Sequence, residues 1–433
     1  MKKIQIEKTN CNFERELLVR PFGFKGGYTK EIWQSVTLLQ SSSGKIGLGL
    51  GTQSVLWSDA SVFSSHSESG GNTLMFAITQ FALKCTMDIK WSTPIELLES
   101  IFSDVYEYGK KITNNPNLRL TFILNALVAV DNAAWVLYSS ENGITKFDDI
   151  IQKEYQEALS CRHTNIASIP LMAYAVPINE IIDAVKEGYF FLKIKIGSDP
   201  DKDGDREKML QWDMKRIEEI HKAIGGVRIG HTRDGKIPYY FDANGRYDNK
   251  ERLKRLLDHA KKIGAFDQIA IVEEPFPEEY EEDVSDFGIR IAADESAHSD
   301  KDAEKRIQMG YGAIALKPIA KTLSMSLKIA KIAHQKNIPC FCADLTVSPI
   351  LVDWNKNVAA RLAPLPGMNI GVLETNGHQN YKRWDELLKF HPCYGAEWTK
   401  TKNGLFNLNE DFYNKSGGIF EISEHYKNLV EVK

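Results

Sequence analysis

From about Ile166 onward, short apolar runs alternate with amphipathic stretches. The runs LMAYAV (171–176), YFFLKIKI (189–196), YYFDAN (239–244), IAIVEE (269–274), IRIAADE (289–295), AIALK (313–317), PCFCAD (339–344) and GVLE (371–374) have strand length. Between them, segments 209–224, 250–263, 300–309 and 325–336 carry apolar residues at helical spacing. Eight strands with intervening helices over about 230 residues predict an α/β fold of the (β/α)8 TIM-like barrel type, which typically takes ~250 residues. The alternative, a doubly wound open sheet, calls for an early glycine-rich phosphate turn, and no G-x-G-x-x-G is present. Segment 225–238, with His231 and Asp234, is long for a connection and predicts an excursion at the bottom of the barrel.

Upstream the rhythm differs and reads as α+β. Trp33 to Gln40 predicts a strand, Ser41 to Gly44 a turn and Lys45 to Leu50 a returning strand. Residues 21–28 read as a flexible loop, and Gly51 to Ser69 as a second loop rich in Ser and Gly. Both carry aromatic residues (Phe22, Phe24, Tyr28, Trp57), which is unusual for plain connectors. Helices are predicted over 72–85, 94–111 and 121–138. The last contains NALVAVDNAAWVLY, whose alanines predict close packing against another element.

Composition narrows the classes. A chain of 433 residues with 43% hydrophobic and 26% charged residues reads as soluble and globular, of two or three domains. A net charge of -4 argues against nucleic acid as a partner. The six cysteines include no C-x-x-C pair, so neither a zinc ribbon nor a disulfide framework is expected. MKKI is followed by polar QIEKTN, unlike a signal peptide, and no apolar run reads as long enough to span a membrane. The expectation is a cytoplasmic protein without a membrane partner.

The chemistry lies where the barrel strands stop. YFFLKIKIG ends in Lys193 and Lys195, two residues apart and therefore on one face of a strand. Their mutual repulsion and burial should lower their pKa values and make a base available. The next three strands end in Asp242 and Asn244, Glu273 and Glu274, and Asp294 and Glu295; the following one ends in Lys317. In a barrel, successive strand ends share one rim. Carboxylates gathered there are costly unless a cation neutralises them, and an all-oxygen donor set suits Mg²⁺, with Mn²⁺ as an alternative. A carboxylate substrate held by that cation would have a lysine on either side of its α-carbon.

In this order, LKIKIG, YYFDANG, VEEPF, AADES, ALKP and LET resemble the enolase superfamily, in its mandelate racemase and muconate-lactonizing branch. AVDNAAWVLY is similar to part of that family's capping domain. The resemblance implies an α+β capping domain over 1–140, a modified barrel over 165–394 and a segment over 395–433 that returns to the capping domain. It further implies Lys195 as the catalytic lysine, Lys193 as its electrostatic neighbour, Lys317 as the opposing lysine, and Asp242, Glu273 and Asp294 as metal ligands. Residues 22–28 and 51–69 would close over the mouth and select the substrate. Phe24, Tyr28, Asn244 and Glu374 are the candidate substrate-binding residues, and symmetric homo-oligomers are common in the family.

The activity so implied is Mg²⁺-dependent racemisation or epimerisation of a small carboxylate through an enediolate. A lyase, either dehydratase or cycloisomerase, using the same enolate is the alternative. Two departures from the family pattern bear on this. CADLTVSP lacks the histidine of the mandelate racemase type, so a histidine dyad with Asp344 is not expected. Glu374-Thr375-Asn376 stands where dipeptide epimerases carry D-x-D, so a simple dipeptide substrate is not indicated. Glu374, if protonated, would donate to a substrate carboxylate, and His378 is placed to face the pocket.

Overall fold

The computed structural model describes residues 2–24, 27–87 and 89–431; the side chain of Phe24 lies outside the described set. The N-terminal part is an antiparallel sheet of β1 (Ile4–Phe24), β2 (Gly27–Ser41), β3 (Ile46–Gln53) and β4 (Lys90–Trp91), in the order β3-β2-β1-β4. The helices Glu68–Thr86, Pro94–Thr113 and Leu120–Asn142 cover it. Residues 21–28, read above as a flexible loop, instead lie largely within the β1–β2 hairpin, with Phe22 opposite Thr29 and Gly23 opposite Tyr28. The Ser- and Gly-rich stretch 51–69 is mostly helical (Val55–Ser58, Ala60–Ser65), the second helix being capped by the Asp59 side chain.

The glycines of GLGLG on β3 explain how the alanine-rich helix docks. Gly47, Gly49 and Gly51 alternate along the strand and so share one face. A Cβ on Gly49 would lie 2.0 Å from the Ala129 carbonyl oxygen and 2.3 Å from the Ala133 nitrogen. Backbone meets backbone there, with no flexible side chain to give way. We expect Gly49→Ala to cost about 3 kcal/mol through overpacking, read as an earlier urea midpoint. The docked helix, Leu120–Asn142, is by length and composition apolar enough to cross a membrane, contrary to the sequence reading, but it is a core helix with 94% of its apolar window buried.

The barrel comprises β5 (Asn165–Ile169), β6 (Leu171–Met172), β7 (Leu192–Lys195), β8 (Tyr239–Asp242), β9 (Ile269–Glu273), β10 (Ile291–Ala293), β11 (Ala313–Leu316), β12 (Cys340–Cys342) and β13 (Gly371–Glu374). Every neighbouring pair from β6 to β13 is parallel. The ring closes through one strand split at Pro170. β5 pairs with β13, while β6 pairs with β7 and the Pro170 carbonyl accepts from Lys193 N at 3.0 Å. Counting β5 and β6 as one gives eight staves. The first stave thus starts at Asn165, six residues before the position predicted for it.

Alternation sorts the barrel side chains. Phe191, Tyr240, Ile271, Ala292, Ala313, Ala315 and Phe341 form the interior cluster. Ile194, Phe241, Val272, Ile314, Cys340 and Cys342 pack outward in the main core that includes the helices. Lys193 and Lys195 share the parity of Phe191 and therefore face inward. All six cysteines are free. The excursion 225–238 reaches the segment before β13, through Arg233 N to Gly367 O (2.9 Å) and Asn369 N to His231 O (3.0 Å). After the barrel, β14 (Thr401–Lys402) and β15 (Leu405–Asn407) form a hairpin whose second strand lies antiparallel to β5. The helix Glu424–Val430 then packs on β1 and β2, where Asn12 Nδ2 donates to Leu429 O at 2.9 Å.

Candidate active site

The staves deliver polar groups to the rim in a fixed order: Lys193 and Lys195 on β7, Asp242 on β8, Glu273 on β9, and Asp294 and Glu295 just past β10. Lys317 follows β11, Asp344 follows β12, and Glu374 ends β13. β7 and β11 are four staves apart in a ring of eight, so their lysines stand on opposite sides. The acids of β8–β10 occupy the arc between them. All of these side chains are buried.

Each lysine grips the acids. Lys193 Nζ lies 3.0 Å from Asp242 Oδ2, 2.9 Å from Glu273 Oε1 and 3.0 Å from Glu374 Oε2. Lys195 Nζ lies 2.6 Å from Asp242 Oδ2 and also donates to Asn244 Oδ1. Lys317 Nζ lies 2.5 Å from Asp294 Oδ2 and sits 4.6 Å from the centre of the Trp57 ring, which the capping domain supplies. Burial opposes the charge of Lys193, yet Asp242, Glu273 and Glu374 hold its pKa well above the ordinary lysine range. The expectation that the paired lysines would both titrate low is therefore corrected at Lys193, because three carboxylates outweigh one neighbouring cation. Lys317 is likewise raised, Asp294 overcoming burial.

The acids divide into two kinds. Burial works against the charge of Asp242 and Asp294, but Lys193 and Lys195 hold Asp242 below the usual carboxylate range, and Lys317 and Lys321 do the same for Asp294. Glu273 is pushed well above that range by burial, with Asp242 and Asp294 adding to the effect. Glu274 is pushed up to about 7 by burial and by Glu295. It faces behind the rim, where its Oε2 accepts from Asp294 N (2.8 Å) and Ser296 Oγ (3.0 Å). Its φ of +40° is left-handed backbone at a non-glycine residue, a strained geometry that surrounding structure must hold.

Carboxylate oxygens of Glu273, Asp294 and Glu295 all lie within 4.8 Å of one another. Asp242 stands beside this group, sharing Lys193 with Glu273. The donor set is wholly carboxylate oxygen, buried and crowded enough to raise Glu273. Such a set fits a hard divalent cation. The structure thus brings together the six lysines and acids singled out in the sequence and adds Glu295 to them. Asn244 joins as a bridge, Nδ2 donating to Glu295 Oε1 at 2.9 Å.

Other expectations fare differently. Tyr28 is 55% exposed and lines a neighbouring cavity of ≈ 550 Å³, not the cavity of the lysines. Phe24 falls outside the described side chains. Glu374 Oε2 accepts from Lys193 and from Asp344 N (3.0 Å). His378 is exposed and lines a side cavity with Asp353, Lys356 and Trp384, away from the lysines. Sequence reasoning missed Lys321, whose Nζ donates to Asp294 O (2.5 Å) and Ala297 O (3.1 Å). It also missed Tyr240, whose hydroxyl donates to Glu273 Oε2. Tyr240 is an inward residue of β8 two before Asp242, a position that strand parity could have flagged.

Residues 178–384 match the family described as enolase C-terminal domain-like. An L-Ala-D/L-Glu epimerase of Clostridium acetobutylicum is 29% identical over 185 residues, covering 41% of this chain and 46% of that protein, so the match spans about half the length of that curated relative. Among solved structures, an N-succinyl Arg/Lys racemase from Bacillus cereus aligns with a TM-score of 0.66 at 16% identity, covering 100% of this chain and 99% of that one. A dipeptide epimerase from Enterococcus faecalis, complexed with Mg and the dipeptide L-Leu-L-Tyr, aligns with a TM-score of 0.62 at 18% identity, covering 94% and 98%.

Proposed function

We propose that the chain, whose residues 178–384 match the enolase C-terminal domain-like family, is a Mg²⁺-dependent racemase or epimerase of the enolase superfamily that moves the α-proton of a small carboxylate substrate. The observation that carries this reading is the placement of Lys195 and Lys317 half a turn apart around the ring, with the acidic arc between them. An α-carbon held between two such groups can lose a proton from one face and regain it on the other.

Asp242, Glu273 and Asp294 would hold the cation, with Glu295 beside them. When bound, a divalent cation stabilises the negative charge that develops on a substrate carboxylate as the α-proton leaves. Lys195 would take or return the proton on one face, and Lys317 on the other. Lys317, kept charged by Asp294, enters as the donor. Lys193, bound to three carboxylates, keeps its proton and contributes fixed positive charge. Lys321, 3.3 Å from Asp294 Oδ1, and Tyr240, donating to Glu273 Oε2, would hold these carboxylates from behind and limit their reorganisation.

The cavity at the lysines measures ≈ 40 Å³, and Phe22, Thr29, Ser54 and Trp57 of the capping domain form part of its lining. These residues would exclude water and position the substrate. Phe22→Ala should raise KM about 10-fold, the loss expected from removing an apolar wall, while metal affinity measured by calorimetry stays unchanged. The function itself is tested by following α-proton exchange by ¹H NMR in D₂O with Mg²⁺, over acid sugars, N-acylated amino acids and dipeptides. Exchange that regenerates the substrate skeleton supports a racemase or epimerase. Loss of water or ring opening in place of it would overturn that reading in favour of a lyase.

A further inference from the structure

Three carboxylates line the small cavity at the lysines: Asp242, Asp344 and Glu374. Two of them have a lysine partner, since Lys193 and Lys195 hold Asp242 and Lys193 holds Glu374. Asp344 makes no ion pair among the described residues; Lys317 favours its charge only from beyond pairing distance, while Glu374 opposes it. It is 5% exposed, its Oδ2 accepts from Asn376 N at 2.7 Å, and Leu345 N also donates to the carboxylate. A buried carboxylate held by two backbone N–H groups and no paired cation is costly to keep ionised. Its missing complement is a positively charged donor on whatever fills the cavity.

The ring order says which part of the ligand that is. Asp344 follows β12, one stave past Lys317 and four staves from Asp242. A substrate whose carboxylate lies on the arc of β8–β10 and whose α-carbon lies between the two lysines directs its remaining substituent across the ring, toward β12 and β13. Glu374 in that quarter is already neutralised by Lys193. Asn376 is engaged too, accepting from Thr346 Oγ1 at 2.7 Å. Asp344 is the one lining carboxylate left to read that substituent.

We propose that Asp344 is a specificity-determining residue that binds a primary ammonium on the substrate, so that the preferred substrates are carboxylates bearing a free amino terminus. The absence of D-x-D after β13 then does not exclude amino-terminal recognition, because the acid that performs it sits one stave earlier. This inference rests on the function proposed above and adds the substrate's second charged group to it.

The test compares free-amine dipeptides, among them L-Ala-L-Glu and L-Leu-L-Tyr, with their N-acetyl forms on the Mg²⁺-loaded full chain. α-Proton exchange gives kcat and KM, and calorimetry gives Kd. The free-amine forms should be favoured roughly 100-fold in kcat/KM, as a charge-assisted hydrogen bond in a dry site allows. Asp344→Asn, which keeps the shape and can still accept from Asn376 N, should erase most of that ratio by raising KM for the free-amine forms. Preference for the N-acetyl forms, or a ratio unchanged in Asp344→Asn, would overturn the inference and leave the proposed function standing. Equal losses on both substrate sets together with a lower melting temperature would also overturn it, by showing that Asp344 merely holds the Asn376 turn. If neither set exchanges in the wild type, the proposed function fails for these substrates. Calorimetry then decides on Asp344, and free-amine binding no tighter than N-acetyl binding, or absent, counts against it.

Discussion

Replacing Lys195 by Ala should abolish α-proton exchange from one enantiomer of the substrate, and replacing Lys317 by Ala should abolish it from the other. Each loss should be at least about 1,000-fold, within the range that a positioned acid or base contributes. Racemisation should vanish in both variants, because it needs removal on one face and return on the other. The reason is the ring: β7 and β11 are opposite staves, so neither lysine can reach across to serve the other's face. Both lysines lie within 3 Å of an acid, Lys195 at 2.6 Å from Asp242 and Lys317 at 2.5 Å from Asp294, so each deletion also frees a carboxylate. Metal affinity measured alongside separates that effect from proton transfer. The measurement is exchange of each pure enantiomer in D₂O with each variant. Full racemase activity in either one would end the two-base mechanism. A variant set in which a single lysine proves essential for both enantiomers would point to a lyase-like, one-base site.

The second large effect concerns Glu273. Its surroundings push it well above the usual carboxylate range, with burial first and then Asp242 and Asp294 disfavouring its charge. Glu273→Gln should therefore leave the metal-free protein as stable as the parent, or slightly more so, because a crowded negative charge has been removed. The same change should weaken Mg²⁺ binding beyond the roughly 100-fold that loss of an outer partner of a metal ligand can cause. Binding to the folded state raises the melting temperature by mass action. The Mg²⁺-induced rise should accordingly disappear in Glu273→Gln while the metal-free melting temperature is kept. A variant that unfolds without metal, or one that still shows the parent's Mg²⁺-induced rise, would remove Glu273 from the metal site. Glu295 gives a useful comparison, since it lies within the same 4.8 Å group yet was not expected from the sequence to be a ligand.

The two effects are distinguishable because they fall on different arcs of the rim. Lysine substitutions change which face exchanges, whereas substitution of Glu273 changes whether the cation is held at all. Lys193 belongs to both arcs, being bound to Asp242, Glu273 and Glu374 at once. These three carboxylates raise its pKa where burial and the neighbouring lysine alone would lower it.

The barrel and its chemistry were legible because the information is local. A period of two along a strand sets which side chains face inward, and the position of a charged residue after an apolar run sets which end of the strand it occupies. Lys193, Lys195, Asp242, Glu273, Asp294 and Lys317 could all be located by those two rules. The exposed N-terminal strand escaped them. β1 is rich in charged residues and irregular in register between Leu17 and Phe22, so its alternation is blurred. Residues 55–65 escaped as well, because two short helices in a Ser-rich stretch depend on a cap at Asp59 and on docking, more than on propensity. The first stave was misplaced because Pro170 divides it between two partners.

What only the tertiary structure decided is which charges meet. Lys321 follows Lys317 by four residues on a turn, and nothing in its spacing announces that its ammonium closes on Asp294. Glu295 differs from Glu274 only by its place in the chain, yet one joins the acidic group and the other turns behind the rim to accept from Ser296. Asp344 and Glu374 are both acids at strand ends, and only the fold pairs Glu374 with a lysine and leaves Asp344 to line the cavity without an ion pair. The sequence by itself determined the staves from β7 to β13, their inward faces and the identity of the rim residues, since these follow from backbone geometry within each segment. Partnership between rim residues depends on closure of the ring and on distances of a few ångströms between segments far apart in the chain. Coulomb energies in a buried site change steeply over such distances, and no local pattern encodes them.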